Sequence, residues 1–80
     1  MNIESFINNL YEQYELDEGE MDLRADTKYK EVDDWDSLVA LSVIAMVDDE
    51  YSVTIDGDAI RGTSTVQELY DLVKQKAEQA

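Results

Sequence analysis

The chain contains no cysteine and no histidine. The first absence removes a disulfide framework and any thiolate metal site. The second removes the side chain that most often serves as general base near neutral pH. Positive charge is scarce as well: 20 acidic residues face 6 basic ones, giving a formal charge of −14 and a pI near 4.1. So acidic a surface repels nucleic acid and anionic membranes and steers basic partner surfaces towards it. No apolar run approaches the roughly 18 residues of a membrane span, and the N-terminus lacks the basic start and apolar centre of a signal peptide. The expectation is a soluble, cytoplasmic monomer that neither inserts into a membrane nor binds nucleic acid.

What is present suffices to fold. Hydrophobic residues make up 44% of the sequence, too many for a disordered acidic tail. The 80 residues form a single domain, 1–80, and a core of this size supplies only roughly 3–5 kcal/mol of net stability. The most apolar segment runs from Leu38 to Val47, interrupted only by Ser42, and is preceded by Asp34-Trp35-Asp36-Ser37. Asp36 reads as a helix N-cap, its carboxylate accepting a hydrogen bond from an otherwise unpaired backbone N–H. Ser37 then sits in the first turn with its hydroxyl pointing out of the helix end, where free N–H donors and the helix dipole favour an anionic group. On its own the pair reads as an ordinary cap, since Asp and Ser are the usual capping residues; the rest of the chain decides whether it is more.

In chain order, residues 2–16 form the first helix, with Asn2 as cap. Ile3, Phe6, Ile7, Leu10 and Tyr14 recur at three- and four-residue steps along one face, the pattern of a helix packed on a core. Residues 17–35 make a long acidic connection without clean periodicity, pinned to the core by Met21, Leu23, Tyr29, Val32 and Trp35. Trp35 reads first as a plug over the end of the core, with an interfacial role as the alternative for so large and amphipathic a ring.

The second helix is expected from Ser37 to Tyr51. Steps of 100° place Ala40, Val43, Ile44, Val47 and Tyr51 on one side and Leu38, Leu41, Ala45, Ser42, Asp48 and Asp49 on the other. Burial of the whole helix is hard to achieve in so short a chain, so the second side reads as a small apolar docking surface rimmed by carboxylates. Tyr51–Ile55 is an extended connector with Val53 and Ile55 tucked in. Asp56–Gly62 is a short helical turn closed by Gly62, a residue suited to the left-handed position after a helix end. The last helix starts at Ser64 or Thr65, with Ser64/Gln67 or Thr65/Glu68 as capping box. Val66, Leu69, Tyr70, Val73 and Ala77 form its inner face, and Lys74 and Lys76 lie near its end, as the dipole prefers. The fold class is all-α: a small four-helix bundle of three main helices and one short one, with a long loop between helices 1 and 2.

Catalytic and metal-binding alternatives fare poorly. Asp56-Gly57-Asp58 opens like an EF-hand loop, but Ile60 and Arg61 stand where a ligand and the required glycine belong. A serine nucleophile has no histidine to activate it, and Lys74 and Lys76 are poor substitutes. The chain therefore reads as a non-enzyme.

Asp36-Ser37-Leu38 resembles the Asp-Ser-Leu motif of acyl carrier proteins, and the likeness extends along the chain. The apolar helix, Asp48-Asp49-Glu50, Tyr51, Ile55 four residues later and Ser64-Thr65-Val66 all fall at the family's spacing, and Tyr29 looks like its loop aromatic. The resemblance implies a carrier, hence a phosphoprotein, with 4′-phosphopantetheine esterified to Ser37 by a phosphopantetheinyl transferase that also recognises Asp36. The arm's thiol would hold acyl or aminoacyl groups as thioesters, for fatty acid, polyketide or other biosynthesis. Acyl- or aminoacyl-activating and acyl-transferring enzymes would bring basic patches to Asp36, Asp48 and Asp49, with Leu38, Leu41 and Ala45 as apolar contacts and Trp35 beside them. Asp34-Trp35 replaces the usual glycine and small residue before the motif, and Val39 and Ser42 stand where carriers of fatty-acid synthesis often have acidic side chains. Thr63 takes the place of a later isoleucine, which would make an acyl cavity more polar. These departures resemble the Trp-Asp-Ser-Leu carriers of specialised rather than housekeeping pathways. The reading from another class is a non-modified acidic helical adaptor that binds a basic protein through helix 2.

Overall fold

A computed structural model of the chain describes residues 2–14, 23–32 and 35–79. It contains four α-helices, α1 (Ile3–Gln13), α2 (Ser37–Tyr51), α3 (Gly57–Arg61) and α4 (Val66–Gln79), with one 3₁₀ turn at Tyr29–Glu31. No strand occurs among the described residues, so the expected all-α bundle is what forms. The long connection is described at 23–32 and from Trp35; Asp17, Met21, Asp33 and Asp34 lie outside the described residues.

The helix α1 starts where Asn2 caps it, the side-chain oxygen accepting from Ser5 N–H at 2.9 Å. It is shorter than expected: Tyr14 is its C-cap, and Glu15 and Leu16 lie outside the described residues. Phe6, Leu10 and Tyr14 are buried, with Ile3, Ile7 and Tyr11 packed at the margin. Phe6 contacts the rings of Tyr51 and Tyr70 at 5.8 and 5.6 Å between centroids, joining α1 to α2 and α4. At the same end Asn9 Nδ2 donates to the Tyr51 hydroxyl at 3.0 Å.

The loop is held by its backbone as much as by its side chains. Leu23 and Tyr29 are buried, and Val32 is partly so. The carbonyls of Thr27 and Ala25 accept from Val66 and Gln67 N–H, at 3.0 and 2.8 Å. These are among the first amides of α4, which have no partner inside their own helix. At the other end of the segment, Lys30 Nζ donates to the Ile60 carbonyl at 2.7 Å, placing a cation at the C-terminus of α3, where the dipole favours it.

The short α3 is capped by Asp56, whose carboxylate accepts from Asp58 and Ala59 N–H at 3.0 and 3.2 Å. Arg61 pairs with Asp58 across one turn. The expected left-handed Gly62 is not found: its φ is −83°. A side chain there would instead press on the Asp58 carbonyl, 3.2 Å from the place of a Cβ, so the crowding is steric. The left-handed residue is Ser52, φ 56°, where α2 ends and the Ser52 N–H bonds Asp48 O at 3.0 Å. Val53 and Ile55 are buried as expected. Of the two candidate capping boxes, Thr65/Glu68 forms. Glu68 Oε1 accepts from Thr65 and Ser64 N–H at 3.0 and 2.9 Å, and Thr65 Oγ1 from Glu68 N–H at 3.2 Å. Gln67 turns to Asp71 at 2.8 Å.

Candidate functional site

Two features define the start of α2. Asp36 has extended backbone (φ −151°, ψ −175°), and its Oδ1 accepts from Val39 N–H at 2.9 Å. Its carbonyl takes the first helical bond, from Ala40 N–H at 3.0 Å. The cap thus engages Val39 and leaves the Ser37 and Leu38 amides without an acceptor inside the helix. Ser37 is exposed at that open end, and α2 has no acidic residue in its first turn. An exposed hydroxyl, open amides and the positive end of a 15-residue helix make a place suited to an anion on the serine oxygen.

Beyond Ser37 the outer face of α2 departs from ordinary solvent composition. Leu38 is 72% exposed and Leu41 62%, the large hydrophobic side chains left in water among the described residues. Ala45, Asp48 and Asp49 are exposed along the same stripe, which covers roughly 16 Å of helix at 1.5 Å per residue. Asp48, Asp49 and Glu50 crowd the C-terminal end of α2, whose last turn has no basic residue of its own. That end of the dipole disfavours anions. Apolar exposure and misplaced charge both work against the stability of the isolated domain.

The inner face differs from expectation. Val43 and Val47 are fully buried, as anticipated, but Val39 and Met46 share the core with them, whereas Ala40, Ile44 and Tyr51 are half-buried at the flanks. Val39 therefore adds nothing to the apolar character of the outer face, and Ser42 is half-buried. Trp35 leans on the core between two helices' worth of aromatic rings. Its ring lies 6.0 Å from Tyr14 and 5.3 Å, edge-on, from Tyr29, and the Trp35 backbone N–H donates to Val32 O at 2.9 Å. Trp35 is half-buried, next in sequence to the exposed Asp36 and Ser37.

Sequence reasoning missed the polar interior behind this corner. The Tyr14 hydroxyl donates to the Tyr29 carbonyl at 2.6 Å. The Tyr29 hydroxyl pairs with Thr63 Oγ1, which in turn donates to Ala59 O at 3.0 Å. Burial pushes both phenols above their ordinary range; for Tyr14 the neighbouring Tyr29 adds to it, and for Tyr29 the bond to Thr63 opposes it. These partners lie 15 and 34 residues apart, so no local spacing signals them.

No described helix is long and apolar enough to cross a membrane. Neither a family model nor a curated protein sequence matches the chain. Among solved structures it is similar to the solution NMR structure of a holo acyl carrier protein from Geobacter metallireducens. The TM-score is 0.77 at 21% sequence identity, covering 96% of this chain and 86% of that one. The two share a fold: the bundle described here is an acyl-carrier-like helical bundle.

Proposed function

We propose that this chain is a cytoplasmic, monomeric carrier protein that holds acyl or aminoacyl groups as thioesters on a 4′-phosphopantetheine arm at Ser37. It delivers them to the enzymes of a specialised pathway. The observation that carries this reading is the exposed Ser37 hydroxyl at the open amide end of α2, at the head of the Leu38, Leu41, Ala45 stripe. The holo state named for the structural neighbour points the same way.

The residues present suit the group. A phosphodiester on Ser37 Oγ meets the free amides of Ser37 and Leu38 and no acidic side chain in the first turn. When bound, the arm supplies the terminal thiol that a chain without cysteine lacks. The protein's own residues attach and present it. Asp36 fixes the first turn and so the direction of the serine, and offers a carboxylate to the transferase. Leu38, Leu41, Ala45 and the half-buried Trp35 form the apolar contact. Asp48 and Asp49 draw in basic partner surfaces, an effect exerted mainly on association rate and specificity. Catalysis belongs to those partners.

The test is intact mass after incubation with coenzyme A and a broad-specificity phosphopantetheinyl transferase. Wild type is expected to gain one phosphopantetheinyl group and Ser37→Ala none. A wild type that gains nothing from several such transferases sinks the carrier reading. The exposed leucines would then favour the adaptor, whose binding to a basic partner survives Ser37→Ala.

A further inference from the structure

Behind the corner that bears Ser37, the largest fully buried side chain of the core is that of Tyr29. Its ring abuts Trp35, two residues before the serine. From there the phenol reaches the C-terminal end of α3, where its hydroxyl meets Thr63 Oγ1 and lies 3.4 Å from Ile60 O. Thr63, itself buried, spends its own hydrogen on Ala59 O, so the Tyr29 hydrogen serves the Thr63 oxygen and the short chain closes with both hydroxyls satisfied. The same residue is anchored from the opposite side by the Tyr14 bond to its carbonyl. Next to it, Lys30 is anchored on Ile60 O. The 3₁₀ turn, α1 and α3 are thus bolted together by polar bonds directly behind the site. An alkyl chain on Ser37 that turned inward at this corner would meet Tyr29, and displacing its phenol would leave one or both hydroxyls unpaired in an interior where the apolar Val39, Ile55 and Ile60 are buried. An unpaired hydroxyl in an apolar interior is strongly disfavoured.

Resting on the carrier function proposed for Ser37, we propose that this chain keeps its cargo outside the bundle. Its substrate class is accordingly short or polar acyl groups, aminoacyl groups included. A long alkyl chain that finds no interior stays in water, where apolar surface is costly, so such cargo suits this protein poorly.

The experiment loads Ser37 with acetyl, hexanoyl and decanoyl arms from the corresponding acyl-coenzyme A and a broad-specificity transferase, then compares Tm and the methyl NMR spectra. Wild type is expected to show no rise of Tm with chain length and unmoved methyl signals of Val43, Val47 and Ile60. The double variant Tyr29→Phe, Thr63→Val, which removes the hydroxyl pair and keeps the bulk, is expected to gain several degrees from acetyl to decanoyl. A length-dependent rise in wild type, with shifted core methyls, overturns the inference and leaves the carrier reading standing. A flat series in the double variant overturns the role assigned to the Tyr29–Thr63 pair. Failure of every arm to attach to Ser37 overturns the carrier reading, and this inference with it.

Discussion

The hydroxyl of Tyr14, at the C-cap of α1, donates to the backbone carbonyl of Tyr29 in the buried interior, at 2.6 Å. One bond thereby joins the first helix to the turn that precedes the site. In Tyr14→Phe the packing of the ring survives and the Tyr29 carbonyl loses its donor. The expected cost is about 1–3 kcal/mol, the penalty of an unmet buried polar group. Urea titration should show a lower midpoint with an unchanged slope.

Alkaline pH probes the same region. Both phenols are raised above the ordinary 10.0 in the folded state, chiefly by burial. Above that pH the unfolded chain releases these protons while the folded chain keeps them, so the unfolded state binds fewer and stability falls as pH rises. The contribution is intact below pH 10.0 and lost progressively above it. Tm followed from neutral to strongly alkaline pH should decline less steeply in Tyr14→Phe than in wild type. Equal slopes would rule out Tyr14 as a source of the alkaline loss.

The start of α4 gives the acid counterpart. Glu68 is held below the usual carboxylate value of 4.5 by the backbone N–H groups of Thr65 and then Ser64. Its folded value being depressed, its contribution is present above pH 4.5 and disappears as pH falls through the lower folded value. Glu68→Gln is expected to flatten that acid limb. Thr65→Ala, which removes the N-cap hydroxyl, should cost about 1 kcal/mol at neutral pH.

Carboxylates at the C-terminal end of α2 oppose its dipole. Asp49→Asn is expected to raise stability by roughly 0.3–1 kcal/mol at low salt. The same change should slow association with a basic partner enzyme, most visibly at low ionic strength. A variant that is more stable and binds equally fast would remove Asp49 from the docking surface.

Asp36 combines two roles that substitution can separate. Asn caps a helix about as well as Asp, whereas Ala costs about 1 kcal/mol. Asp36→Asn should therefore keep the Tm of wild type while slowing arm attachment, and Asp36→Ala should lose both. If Asp36→Asn is modified at the wild-type rate, its charge plays no part in transferase recognition.

Local spacing made much of this molecule legible. The Asp36 cap, the Ser37 position, the inner stripes of α1 and α4 and the Thr65/Glu68 box all depend on residues within one or two turns of each other. The outer stripe of α2 was readable because Leu38, Leu41 and Ala45 recur beside two carboxylates. Its inner face was less so: with nearly every residue apolar, periodicity could not reveal that Val39 and Met46 go inward. Gly62 was misread because a glycine after a helix suits either a positive φ or a close approach, and only the neighbouring Asp58 carbonyl decides between them. The left-handed position fell to Ser52, which carries no such signal. The Tyr29–Thr63 pair and the Lys30 bond to α3 span 30 residues or more, beyond any local pattern.

The carbonyls of Ala25 and Thr27 complete the first turn of α4, and this couples two distant segments in time as well as in space. Amides at the start of a helix ordinarily exchange with solvent by fraying of that helix. Here Val66 and Gln67 are sealed from outside, so their hydrogen exchange reports how often the turn at 24–27 lets go. Two backbone amides on the last helix thus serve as a clock for a loop some 40 positions earlier.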